Sequence, residues 1–183
     1  MLNILYIHEY EATGNSPTAL QLKELLEDYA RLVAPDFSKN PNIAIQKTVS
    51  VISMYRIGLI IGNSYGGFVA LNTPKLIPRI VINPVLEPSN ELVKRHTDAT
   101  KFVQDFKDLE TKLFTRHIPD EEKAITYGIF SSYDEKFSYK DMFLQYYNNA
   151  EIMNNDGHKI KPSNVKKTLV PLIIQWIRLL QLY

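Results

Sequence analysis

Ile57-Gly58-Leu59-Ile60-Ile61-Gly62-Asn63-Ser64-Tyr65-Gly66-Gly67-Phe68-Val69-Ala70-Leu71 is the stretch on which the reading of this chain turns. Residues 57–61 form an apolar run suited to a strand covered on both faces. Residues 67–71 read as the start of a helix. Between them, Gly62-Asn63-Ser64-Tyr65-Gly66 matches G-x-S-x-G. That pattern marks a sharp strand-to-helix turn that lifts a serine hydroxyl above the sheet edge. The glycines are needed because a Cβ on either side would clash in so tight a turn. The bare pattern recurs by chance; strand before and helix after make Ser64 a candidate nucleophile rather than part of a glycine-rich corner.

Working outward, strand-like and helix-like segments alternate. Residues 3–7 are apolar and suit a first strand. Ser16-Pro17 supplies an N-cap and a proline at the first helical position, and Ala19, Leu22, Leu25, Leu26 and Tyr29 recur at helical spacing. Residues 33–37 read as a short strand running into a loop. Residues 41–55, with Ile43, Ile45, Val49, Ile52 and Met54, predict a second helix. Strands follow at 79–82, 124–130 and 151–153, with a helix predicted over 137–147. A terminal helix is expected over 165–182, its inner face Leu169, Leu172, Ile173, Trp176, Ile177 and Leu180, and Pro171 should bend its first turns. Pro74 should likewise end the helix after Ser64 early. Residues 91–122 are charged and helical in spacing, without a strand. Strands separated by helices imply a mostly parallel central sheet with helices on both faces, in three layers. One domain over 1–183, with 91–122 as a small helical cap or insertion, is the simplest organisation.

Bulk properties narrow the function. The chain has 183 residues, 45% apolar and 22% charged, with a formal net charge of +1. That is enough for one full core, and there is no basic excess to suggest nucleic acid or an anionic membrane. The absence of cysteine rules out a disulfide framework, a thiolate nucleophile and a cysteine metal site. Residues 1–7 lack the basic start of a signal peptide. The longest apolar stretch, 169–180, is interrupted by Gln175 and Arg178 and falls short of the ~20 residues a membrane span needs. A soluble, cytoplasmic protein is expected.

A serine hydroxyl needs a general base, and the base needs an orienting carboxylate. In a fold of this type the chain order is serine, acid, histidine, each on a loop at the C-terminal edge of a strand. Of His8, His96, His117 and His158, only His158 follows a late strand, with Gly157 permitting a sharp loop. Asp134 comes first after the 124–130 strand and is the favoured acid, with Glu135 and Asp156 as rivals. Two backbone N–H groups are needed for an oxyanion. Tyr65, next to Ser64, and Tyr10, in the loop after the first strand, are the candidates. His8 is placed to brace that loop, and His96 and His117 are expected to be exposed.

Taken together, these residues resemble the α/β-hydrolase superfamily and, within it, the YqiA-like small esterases. Ile4-Leu5-Tyr6-Ile7-His8 is similar to that family's first strand and the start of its His-Gly loop. Asn15-Ser16-Pro17 is similar to its helix start, and Gly62-Asn63-Ser64-Tyr65-Gly66-Gly67-Phe68 to its nucleophile elbow. Ile82-Asn83-Pro84-Val85-Leu86-Glu87-Pro88 resembles its asparagine-proline stretch, Asp134-Glu135 its acid motif, and Gly157-His158 its final histidine. The resemblance implies a serine esterase acting on acyl esters or thioesters, with no metal and no organic cofactor. Glu9 departs from it, standing where the family has glycine. A carboxylate pointing inward there would oppose a developing oxyanion by several kcal/mol, on the order expected for poorly solvated like charges.

The leading expectation is therefore a hydrolase of small acyl esters or thioesters working through Ser64, His158 and Asp134. Phe102, Phe106 and Phe114 of the insertion are candidates for lining an acyl site, although aromatics at helical spacing more often belong to the core. The alternative is a non-enzymatic α/β-hydrolase scaffold that binds a small molecule or a protein, which the Glu9 change favours. Acyl transfer or peptidase chemistry on the same triad is a third reading, since pocket shape sets leaving group and acceptor.

Overall fold

The computed structural model describes residues 1–136 and 138–182. Among them, six strands form one all-parallel sheet in the order β2-β1-β3-β4-β5-β6. The strands are β1 (Leu2–Ile7), β2 (Ala30–Val33), β3 (Ile57–Asn63), β4 (Arg79–Ile82), β5 (Thr126–Ser131) and β6 (Asn149–Met153). The helices are α1 (Pro17–Leu25), α2 (Pro41–Tyr55), α3 (Tyr65–Leu71), α4 (Pro88–Arg95), α5 (Val103–Thr115), α6 (Asp120–Ala124), α7 (Lys140–Leu144), α8 (Pro162–Asn164) and α9 (Val170–Leu179). A 3₁₀ turn, Thr97–Phe102, joins α4 to α5. No described helix is long and apolar enough to cross a membrane.

Period-two alternation along the central strands feeds two separate apolar layers. Leu5, Ile7, Ile60, Val81 and Phe130 face one side, where α2, α3 and α5 supply Ile52, Phe68 and Phe106. Ile4, Tyr6, Ile61, Ile80, Ile82 and Ile129 face the other, covered by α1 and α9 through Leu22, Ile173 and Trp176. This is the three-layer architecture expected, and a parallel sheet requires it because its crossovers place helices on both faces.

The local departures have physical causes. The second strand is Ala30–Val33, earlier than the 33–37 expected. Pro35 has no N–H to extend a ladder, whereas Ala30 and Leu32 point inward around exposed Arg31. Tyr29 lies beyond α1 and is 46% exposed. On α2 the buried stripe is Ala44, Thr48, Val51 and Ile52, whereas Ile43 and Met54 face outward. The helix expected over 137–147 is reduced to Lys140–Leu144 because the chain must enter β6 at Asn149; its expected first residue, Phe137, lies outside the described residues.

The terminal helix is interrupted by a π-helical turn at Val165–Leu169, where the Val170 N–H reaches back to the Val165 carbonyl. Pro171 explains it. In an unbroken α-helix its ring would strike the carbonyl of Lys167, and one widened turn removes that collision.

At the N-terminal end of β4, Arg79 is fully buried. Its guanidinium donates to the carbonyls of Ala70 (2.7 Å), Lys75 (2.6 Å) and Ile77 (3.3 Å), and lies 3.9 Å from Glu122. Arg116 closes on the same carboxylate with two hydrogen bonds. Burial pushes the Glu122 carboxyl up, but the Arg116 hydrogen bonds and the charges of Arg79 and Arg116 outweigh it and hold the group below the usual carboxylate range.

Candidate active site

All the predicted site residues lie at the C-terminal edge of the sheet. The strand order reverses direction between β1 and β3, which opens a crevice there, as in other open parallel sheets. Ser64 sits on the turn between β3 and α3 with φ 54° and ψ −113°. A non-glycine residue there carries about 1–3 kcal/mol of strain that the surrounding structure must hold. The glycines allow the turn: a Cβ on Gly66 would collide with the Ile7 carbonyl, and one on Gly62 with the Gly66 carbonyl. The Ser64 N–H donates to the Ile82 carbonyl (2.9 Å), which ties the turn to β4.

The loops after β5 and β6 bring two further side chains to Ser64. His158 Nε2 lies 3.0 Å from Ser64 Oγ, and His158 Nδ1 lies 2.8 Å from Asp134 Oδ2. A carboxylate can only accept, so Nδ1 carries the proton and Nε2 is left to accept from the serine hydroxyl. The three side chains are nearly solvent-free. The rival acids are occupied otherwise. Glu135 accepts from the His158 backbone N–H (2.9 Å), fixing the loop rather than the ring. Asp156 is buried and accepts from the Lys161 N–H (3.0 Å) and Asn164 Nδ2 (3.1 Å).

Asn83 joins these loops, a role its sequence context alone did not reveal. With φ 41° at the end of β4, its Nδ2 donates to Ser131 Oγ (2.8 Å) and the His158 carbonyl (3.2 Å). Its Oδ1 accepts from the Ser131 N–H (2.7 Å). The signal was an asparagine, the side chain most tolerant of positive φ after glycine, placed directly before proline at a strand end. Asn83→Ala is expected to lower the unfolding free energy by about 1–3 kcal/mol, since it strands buried partners; a urea titration reads this directly.

The loop after β1 forms the opposite wall. His8 is buried; its Nε2 accepts from the Phe37 N–H (2.8 Å), so the proton sits on Nδ1, which donates to the Glu9 carbonyl (2.7 Å). Burial lowers its pKa and favours this neutral form. Glu9 does not fold back on the loop backbone. Its Oε1 accepts from Nδ2 of Asn63 (3.0 Å), the residue before Ser64. Tyr10 is buried against Tyr65, edge to face at 5.3 Å. Within the described residues, neither the Tyr10 nor the Tyr65 N–H is taken up by a hydrogen bond of its turn.

His96 corrects the expectation of an exposed side chain. It is half-buried, packs on the Tyr10 ring at 5.1 Å and places Nδ1 3.2 Å from Glu11 Oε1. Glu110 of α5 positions the helix before it, accepting from both the N–H and the hydroxyl of Ser89 (2.7 Å each). His117 is exposed, as expected. The aromatics of the insertion do not line the cleft at Ser64: Phe106 is in the core against Phe68 and Tyr65, and Phe114 packs at a tilt on Tyr146. Phe102 is partly buried and packs on the same core.

The cleft over Ser64 holds about 70 Å³, with walls from Glu9, Glu11, Leu92, Arg95, His96 and Lys136. Wider hollows, about 360 Å³ beside α6 and about 540 Å³ beside β2, are lined by neither Ser64 nor His158. Among the described residues no group of three or more His, Cys, Asp or Glu side chains is arranged to hold a metal ion.

The model of an uncharacterised protein family, UPF0227, matches residues 3–175. The chain belongs to that family. The UPF0227 match bears out the YqiA-like resemblance, and the chain has the α/β-hydrolase fold that its elbow and loop motifs suggested. No curated protein matches its sequence significantly. Among solved structures it is similar to Est1E from Butyrivibrio proteoclasticus, at TM-score 0.70 and 12% identity over 97% of this chain and 88% of that one. A putative hydrolase from Agrobacterium vitis S4 superposes at TM-score 0.68 and 11% identity, covering 97% and 87%. An epoxide hydrolase from Bacillus megaterium superposes at 0.63 and 10% identity, covering 97% and 94%. At such identities the likeness establishes the fold, and chemistry has to be argued from the side chains.

Proposed function

We propose that this protein is a serine hydrolase that cleaves small acyl esters or thioesters through an acyl-enzyme. The observation that carries this is the continuous relay of Ser64 Oγ, His158 Nε2, His158 Nδ1 and Asp134 Oδ2, with links of 3.0 and 2.8 Å. Ser64 attacks the acyl carbonyl while His158 takes its proton. Asp134 holds the imidazole in the productive tautomer and offsets the charge it gains. The Tyr10 and Tyr65 N–H groups receive the oxyanion. His158 then gives its proton to the leaving alcohol or thiol, and a water, activated by the same imidazole, releases the acid. The helices over 91–122 act as a small cap, with Leu92, Arg95 and His96 forming one wall of the cleft.

The competing view, a scaffold that only binds, drew its support from Glu9. Its carboxylate is engaged by Asn63, and the serine is within reach of its base, which favours catalysis. Treatment with a fluorophosphonate, followed by intact-mass measurement, is expected to add one phosphonyl group to the wild type and none to Ser64→Ala. A folded wild type that stays unlabelled would sink the hydrolase reading and return Glu9 and binding to the front.

A further inference from the structure

The wall of the cleft is unusual for an acyl site, because among the described residues Leu92 is its one aliphatic contributor, while Glu9, Glu11, Arg95, His96 and Lys136 bring acidic or basic side chains. A volume of about 70 Å³ is far below the roughly 300–1,000 Å³ of drug-sized ligand pockets, so the enclosed part of the cleft suits a short acyl group. Among the described residues a long chain finds little apolar wall beyond Leu92 and Tyr10 to cover it.

The charges are not equivalent. Glu11 already faces His96 Nδ1 at 3.2 Å. Arg95 is turned along the wall, its Nη2 donating to the Lys136 carbonyl (2.7 Å) and to Glu91 (3.3 Å), whose carboxylate offsets part of its charge. Lys136 is exposed at the rim, where solvent and salt weaken its reach. Glu9 differs from these. It is part-buried beside the nucleophile turn, and Asn63, itself 1% exposed, fixes one oxygen. The other oxygen makes no hydrogen bond among the described residues, although both lone-pair sets of a carboxylate seek donors. Among those residues Asn63 Oδ1 is also buried without a hydrogen-bond partner, so beside the Tyr10 and Tyr65 N–H groups this corner holds two acceptors that lack donors. A substrate that brings N–H donors or positive charge suits Glu9; one that brings a carboxylate meets like charge at its part-buried side chain.

We infer that Glu9, held by Asn63, is a specificity-determining residue that selects short acyl esters or thioesters carrying an ammonium group and rejects anionic ones. This rests on the serine hydrolase reading and names its substrate class. The test uses N-acetylcysteamine thioesters of propionate, β-alanine and malonate, with propionylthiocholine as the arm that carries the cation on the leaving group. Fluorophosphonate labelling runs in parallel as an independent report on Ser64. The wild type is expected to favour at least one cationic substrate over the propionyl thioester by about tenfold in kcat/KM, and to disfavour malonyl by about as much, the scale of one charge-assisted hydrogen bond. The arm that responds tells on which side of the scissile bond the cation sits. In Glu9→Gln these ratios are expected to fall to within about threefold of unity, whatever happens to the common rate. A labelled enzyme with wild-type ratios near unity, or ratios that survive Glu9→Gln, would overturn the inference while leaving the hydrolase intact. An enzyme neither labelled nor active on any of the four would bring down the hydrolase reading and this inference with it.

Discussion

Asp134→Asn is expected to lower kcat on an activated ester by about four orders of magnitude, with little change in KM. Asparagine fills the same space, so the loop after β5 should keep its course. What changes is the hydrogen bond at His158 Nδ1, 2.8 Å from Asp134 Oδ2. An amide offers an N–H as well as a carbonyl, and the N–H favours the tautomer whose proton sits on Nε2, where the base must accept from Ser64. The imidazolium formed during attack also loses its counter-charge. Two neighbouring carboxylates give the control. Glu135→Gln keeps a carbonyl able to accept from the His158 N–H, so its effect should be no more than a few-fold. Asp156→Asn should act on loop stability, since that carboxylate holds Lys161 and Asn164. A loss from Glu135→Gln equal to that from Asp134→Asn would reverse the assignment of the acid.

Arg79→Met is expected to produce the largest loss of stability of any single polar substitution considered, about 3–5 kcal/mol in urea unfolding. Arg79 is 1% exposed, and burial pushes its pKa down, yet the charge of Glu122 opposes that and the guanidinium is surrounded by acceptors. It adds a charged donor to carbonyls at the end of α3 and in the loop after it, where Pro74 stops the helix from continuing. Methionine fills the volume but removes the charge-assisted donors to these carbonyls and one of the two cations that face Glu122. Arg79→Lys should recover only part of the loss, because an ammonium cannot span Ala70, Lys75 and Ile77 at once. A loss under about 1 kcal/mol for Arg79→Met would mean that water reaches these carbonyls and replaces the side chain.

Where one period dominated, the sequence revealed the architecture. The strands at Ile4, Ile60 and Ile80 read cleanly because both faces are buried, and Ser16-Pro17 announced α1 because capping is local chemistry. The segments that misled did so where tertiary packing overrode local pattern. Ala44 and Thr48 are weak apolar signals, yet they are the residues that let α2 approach the layer beneath it, while bulkier Ile43 and Met54 face outward. At the candidate site, Ser64, Asp134 and His158 were legible because chain order and strand ends constrain such residues strongly. The Asn63–Glu9 and Asn83–Ser131 contacts were not, being side-chain pairs 54 and 48 residues apart with no periodicity to betray them. His96 was misjudged for a related reason: its charged neighbours suggested a solvated face, while Tyr10 offered a ring to cover it.

β4 carries Arg79 at one end and runs into Asn83 at the other, four residues on at about 3.3 Å each. Beyond roughly 7–10 Å, substitutions without shared partners contribute independently. One short strand thus separates a reserve of folding free energy from the reacting groups. Drift in the cleft, including residues as disruptive as a carboxylate beside Ser64, can be absorbed by an anchor at the far end of the strand, which gives a lineage room to change the cleft before it loses the ability to fold.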